Sequence, residues 1–99
     1  MNTIDVDENG NCTVFGTDAH ELWNYGRGAD FPRKPYATNR FFVFERNELP
    51  YGTRWIMRAA QSSREGALRY MDGHGRVLVS IANPNAGEAQ AYPAGRWSK

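Results

Sequence analysis

The run Phe41-Phe42-Val43-Phe44 constrains the fold more than any other stretch of this chain. Successive side chains of an extended strand point to opposite faces. Phe42 and Phe44 therefore share one face, and Phe41 and Val43 share the other. Apolar groups on both faces read as a central strand, spanning 40–46. The turn signal Leu49-Pro50-Tyr51-Gly52 follows, and a second strand is expected over 53–60. On that strand Trp55, Met57 and Ala59 lie on one face, while Arg54, Ile56 and Arg58 make the other face partly wet.

The remaining segments supply a scaffold around this pair. Thr3–Val6 and Cys12–Phe15 read as a hairpin about Glu8-Asn9-Gly10-Asn11, where Asn-Gly offers the positive φ angles of a tight turn. Asp18 and Glu21 stand at capping-box spacing, and Ala19, Leu22 and Trp23 give an apolar helical stripe. That predicts a helix from Ala19 to Tyr25, stopped by Gly26 in the left-handed conformation. Ser62 and Glu65 repeat the capping spacing ahead of Ala67, Leu68 and Met71, a second buried stripe. Arg76–Ala82 alternates as a strand with Val77, Val79 and Ile81 inward, and 88–92 reads as a last edge strand before Pro93. The resulting expectation is a single α+β domain over residues 1–99. Its sheet has five to six strands and is mainly antiparallel, with two short helices on one face. The strand–helix–strand unit from 53 to 82 could instead run parallel and make the sheet mixed.

Length and charge bound the function. A chain of 99 residues supports one modest core. Residues 1–22 carry Asp5, Asp7, Glu8, Asp18 and Glu21 without any Lys or Arg, whereas 23–40 carry Arg27, Arg33, Lys34 and Arg40 against Asp30. The chain is acidic first and basic later, with a net charge of only +1. So weak a net field selects neither nucleic acid nor a membrane surface. Cys12 is the sole cysteine and there is no apolar run of signal-peptide or transmembrane length, so a soluble cytoplasmic protein is expected.

Motifs for chemistry are sparse. Asp5, Asp7 and Asn9 followed by Gly10 match the first half of an EF-hand calcium loop. The twelfth position is Gly16, where a bidentate carboxylate belongs, and no incoming helix is expected before Asp5. The resemblance is therefore confined to half a loop, and an ordinary hairpin accounts for it. Cys12, His20 and His74 lack the paired spacing of a zinc site. Cys12 has no histidine nearby in sequence and reads as a small buried hydrophobe. No nucleophile–base pair or phosphate loop is present, so neither enzymatic activity nor a cofactor is expected.

The segment from Gly26 to Asn39, GRGADFPRKPYATN, is the candidate contact surface. Loops of this length in small domains are often functional, and Arg mixed with aromatics is what binding surfaces contain. Arg27, Phe31, Arg33, Lys34, Tyr36 and Arg40 form the candidate set, with Arg54, Arg58 and Trp97 as extensions. The bland reading is that Phe31, Tyr36 and the prolines pin a long connection to the body. Near-neutral charge and the excess of Arg over Lys favour a protein partner. The expected role is a small inhibitor or modulator of a larger protein, a profile shared in size and character with phage-type accessory proteins. The alternatives are nucleic-acid binding through Arg33, Lys34, Arg40, Tyr36 and Phe41, and a small-ligand site or active site without a sequence motif. Oligomeric state is not legible in the sequence.

Overall fold

The computed structural model describes residues 3–27, 31 and 33–82. The elements are β1 (Thr3–Val6), β2 (Cys12–Phe15), α1 (Ala19–Gly26), β3 (Phe41–Leu49), β4 (Gly52–Gln61), α2 (Arg64–Leu68) and β5 (Arg76–Ala82). The strand expected over 88–92 and the Trp97 segment lie outside the described residues. The five strands form one sheet in the order β1-β2-β5-β3-β4. Every neighbouring pair is antiparallel except β2 and β5, which are parallel. The fold is therefore the expected α+β class with a mixed, mostly antiparallel sheet. β4 and β5 run the same way with β3 between them, so the connection through α2 crosses over β3.

The first face carries the main core. Phe42, Phe44, Trp55, Met57, Val77 and Val79 pack there with Cys12 and Val14, under Ala19, Leu22 and Trp23 of α1. The second face carries a smaller cluster of Val43, Ala59 and Leu78 under Ala67 of α2. The helices thus cover opposite faces, not one. The cause is β3 itself, because Val43 is as fully buried as Phe42 and Phe44 and needs a cover of its own. A β-bulge completes the arrangement. Val43 pairs with Ala59 but Phe44 pairs with Met57, so Arg58 is the extra residue. The slip turns Ala59 away from Trp55 and Met57 and onto the α2 face, contrary to simple alternation.

Three local details also depart from the sequence reading. In the β1–β2 turn only Gly10 has a positive φ, +87°. Asn9 needs none, because the Asp7 carboxylate accepts the Asn9 and Asn11 N–H groups at 2.8 and 2.9 Å and shapes the turn. α1 is capped by Asp18, which accepts the Glu21 N–H at 2.9 Å, while Glu21 itself accepts the Thr17 hydroxyl. Gly26 is the last helical residue and is not left-handed; the chain leaves the helix through extended Arg27. What Gly26 provides is space. A Cβ there would overlap the Phe44 ring edge and sit 3.2 Å from the Trp55 carbonyl oxygen. α2 begins one residue later than expected, with Ser63 accepting the Gly66 N–H at 3.1 Å. It spans only five residues, so Leu68 lies beyond the buried stripe and is 44% exposed.

An ion cluster fixes the α2 face. Glu45 of β3 accepts from Arg58 at 2.9 Å and from Arg76 at 3.1 Å, and Arg76 also donates to the Tyr70 carbonyl at 2.7 Å. Burial pushes the Glu45 carboxyl up, but the hydrogen bonds and charges of Arg58 and Arg76 outweigh it and hold the carboxyl below its ordinary value. A lowered folded value means that the stabilisation is complete above the unfolded carboxylate range, near pH 4–5, and is lost as pH falls toward the folded value.

Two outcomes follow. Gly26→Ala should destabilise the fold by about 1–3 kcal/mol through overpacking against Phe44, read as a lower denaturation midpoint at unchanged slope. Glu45→Gln should cost roughly 1–2 kcal/mol at neutral pH by leaving two partly buried guanidinium groups short of their partner. It should also flatten the fall in melting temperature between about pH 5 and 3.

Candidate functional site

The loop after α1 is organised by Trp23. This residue belongs to the apolar stripe of α1 and is only 7% exposed. Its indole Nε1–H donates to the Phe31 carbonyl at 3.1 Å, and Phe31 packs beside the core on the α1 face. Two cations reach the same ring: the Arg27 guanidinium carbon is 4.8 Å and the Lys34 ammonium 5.7 Å from its centroid. Arg27 stands four residues after Trp23, the spacing that makes helical neighbours. Each such contact is worth about 0.5–1 kcal/mol at an exposed site. Arg27 and Lys34 therefore help hold the loop onto the helix.

The distal part of the loop is a pinned turn. The Tyr36 N–H donates to the Asn39 side-chain oxygen at 2.8 Å, and the Asn39 N–H returns to the Tyr36 carbonyl at 3.0 Å. Asn39 and Pro35 are buried. Arg40 closes the turn by donating to the Ala37 carbonyl at 2.6 Å and to that of Asn39 at 3.1 Å. On this fixed base the Tyr36 ring is 63% exposed. The Arg33 guanidinium lies 5.3 Å from the ring centroid, with a long contact of 3.5 Å to the phenol oxygen.

The two ends of the loop meet the edge strand β4. The Arg27 carbonyl faces Arg54 at 3.4 Å, and the Arg40 N–H donates to the Gln61 carbonyl at 3.0 Å. Arg54 is thus brought to the loop. Arg58 is not; it belongs to the Glu45 cluster on the α2 face. Trp97 lies outside the described residues. In the N-terminal hairpin Asp7 spends its carboxylate on the turn, and among the described residues no three His, Cys, Asp or Glu side chains gather as a metal site would need. Cys12 is buried, with Sγ 3.6 Å from the Gly10 carbonyl. Burial, and then the nearby Cys12, push the Tyr25 phenol above its ordinary value.

Sequence reasoning missed the central part played by Trp23, which it took only as core. The signal was present in Arg27 at the i+4 position. It also missed Asn39 as a buried polar residue, although Tyr36-Ala37-Thr38-Asn39 has the length of a side-chain-closed turn.

No protein-family model, curated protein or solved structure matches this chain. Among the described residues no helix is long and apolar enough to cross a membrane.

Trp23→Phe keeps most of the apolar volume but deletes the donor to Phe31 and weakens both cation contacts. It should cost about 1–2 kcal/mol, or several degrees in melting temperature. Limited trypsin digestion should then cut faster at Arg27 and Arg33 than in the unaltered protein, while sites in β3 and β4 stay protected.

Proposed function

We propose that this chain is a non-enzymatic protein-binding module whose contact surface is the pinned turn bearing Arg33 and Tyr36. It would serve as a modulator or inhibitor of a larger protein. One observation carries the reading: a large aromatic side chain is held out to solvent on a backbone fixed from both sides by Asn39 and seated on buried Pro35. An aromatic–guanidinium pair on a rigid base loses little entropy on binding, and Tyr and Arg are the residue types that dominate binding energy at protein interfaces. Arg27, Lys34 and Arg40 support that base by their intramolecular contacts.

The nucleic-acid reading draws less support. Of the three cations in the loop and Arg40 just after it, Arg27, Lys34 and Arg40 already face Trp23 or loop carbonyls, and the acidic first hairpin adds repulsion toward phosphates.

The test is an affinity pull-down with quantitative mass spectrometry, comparing the natural sequence with Arg33→Glu/Tyr36→Ala. Both substituted side chains are exposed, so the melting temperature should stay within about 2 °C. Recovery of a specific protein partner should fall roughly tenfold, the equivalent of about 1–2 kcal/mol at the interface. Undiminished recovery of the same partners would remove the turn as the contact surface. Salt-sensitive binding to fluorescent single-stranded DNA or RNA, lost in the same variant, would move the reading to nucleic acid.

A further inference from the structure

Five cations gather at the loop, and among the described residues none of them is paired with a carboxylate. Arg27 and Lys34 both lie over the Trp23 ring. The Arg54 guanidinium reaches the Arg27 carbonyl at 3.4 Å, so it stands beside Arg27. Arg33 directly precedes Lys34 and lies over Tyr36. Arg40 folds back onto the Ala37 carbonyl of the same turn. All five residues are exposed. The ion pairs among the described residues join Arg46 to Glu48, and Arg58 and Arg76 to Glu45. Asp30, the one carboxylate between Gly26 and Asn39, lies outside the described residues.

Stacking fixes these side chains without using up their donors. A guanidinium packed on a ring by its flat face keeps its N–H edge open. Arg27 and Lys34 donate to no acceptor among the described residues beyond their ring contacts. Arg33 makes only the long 3.5 Å contact to the Tyr36 phenol oxygen. The same stacking uses up the rings. Trp23 is 7% exposed beneath two cations, and Arg33 occupies one face of Tyr36. Successive nucleobases therefore find no run of open aromatic faces at these two residues.

We propose that this surface receives carboxylates, so that the segment of the partner protein in contact with it is acidic. The inference rests on the reading of the turn as a protein contact and gives that partner its chemistry. Five like charges held together repel one another, and an anionic partner relieves the repulsion. A carboxylate matches the open fork edges of Arg27 and Arg33 in bidentate fashion, with Lys34 as a point charge beside them. The cations are already anchored on rings and carbonyls, so little side-chain freedom is lost on binding. No such excess exists at α2, where Arg64 and Arg69 stand beside Glu65 and Asp72.

Fluorescence anisotropy of the full chain tests it with three labelled probes: a short peptide of alternating Glu and Ala, its counterpart with Gln for Glu, and an oligothymidine of equal length. The Glu peptide should bind in low salt with a dissociation constant on the order of 10–100 µM, and about tenfold more weakly in about 0.3 M salt. The Gln peptide should not bind. Arg27→Gln, Arg33→Gln and Arg54→Gln should each weaken binding about three- to tenfold. Arg27→Lys, which keeps the charge and loses the fork, should fall between Arg27→Gln and the unaltered chain. Arg54 is exposed on β4, so its substitution reports on binding with the fold intact. Arg69→Gln, at the end of α2 on the other face, should bind as the unaltered chain does. The inference is overturned by a Glu peptide that fails to bind in low salt, by weakening that is the same in Arg69→Gln as in the loop variants, or by oligothymidine binding more tightly than the Glu peptide. Absent peptide binding, with the pull-down partner still lost in Arg33→Glu/Tyr36→Ala, removes the acidic partner and leaves the contact surface in place.

Discussion

The two-sided apolar character of β3 is the constraint on which the rest of the molecule depends. Phe42, Phe44 and Val43 are all fully buried, yet they point to opposite faces of one strand. A single layer of cover would leave one face wet. The chain resolves this with two very small helices, eight and five residues long, one on each face. Neither is long enough to persist alone. Each exists because the sheet offers it a partner: Gly26 lets α1 press directly on Phe44, and Ala67 seats α2 above Val43 and Leu78. The bulge at Arg58 serves both faces together, giving Met57 to one cluster and Ala59 to the other.

Much of this was legible in the residues. Strand positions followed from alternation and turn signals, and the first helix from its capping pair. The errors have physical causes. Strict alternation cannot register a bulge, so Ala59 was placed on the wrong face. Capping-box spacing selects Ser62, three residues before Glu65, whereas the helix is capped by Ser63, whose hydroxyl accepts a backbone N–H from Gly66 and needs no Glu at that position. Gly26 reads as a left-handed stop in sequence, whereas its value lies in the missing Cβ against a residue eighteen positions away. The candidate loop was visible from composition, but its division of labour was not. Whether a cation faces its own Trp or the solvent depends on where the chain turns back.

That division gives the loop a structural duty beside its proposed one. Its ends touch β4 at two places: the Arg27 carbonyl meets the Arg54 side chain, and the Arg40 N–H extends the β3–β4 ladder to Gln61. The segment thus couples two tasks: Trp23 and its cations bind the proximal part to the body, and the Tyr36–Asn39 turn projects the distal part. A change that loosens the first would also spoil the presentation of the second.

The parallel pairing of β2 with β5 has a consequence for how the sheet is assembled. The Asn11 side chain accepts the Leu78 N–H across 67 positions of sequence, while the two hairpins close over short turns. β5 is inserted between strands from each hairpin, so its arrival joins two units that share no other strand pairing. That step bears the greatest loop-closure cost in the chain. Before it, β2 and β3 each present an open inner edge; afterwards, among the described residues, β1 and β4 remain as the edges. The residues of β5, Arg76 to Ala82, act as the keystone of the fold, and the interval before they dock is when the chain is most open to pairing with a neighbour.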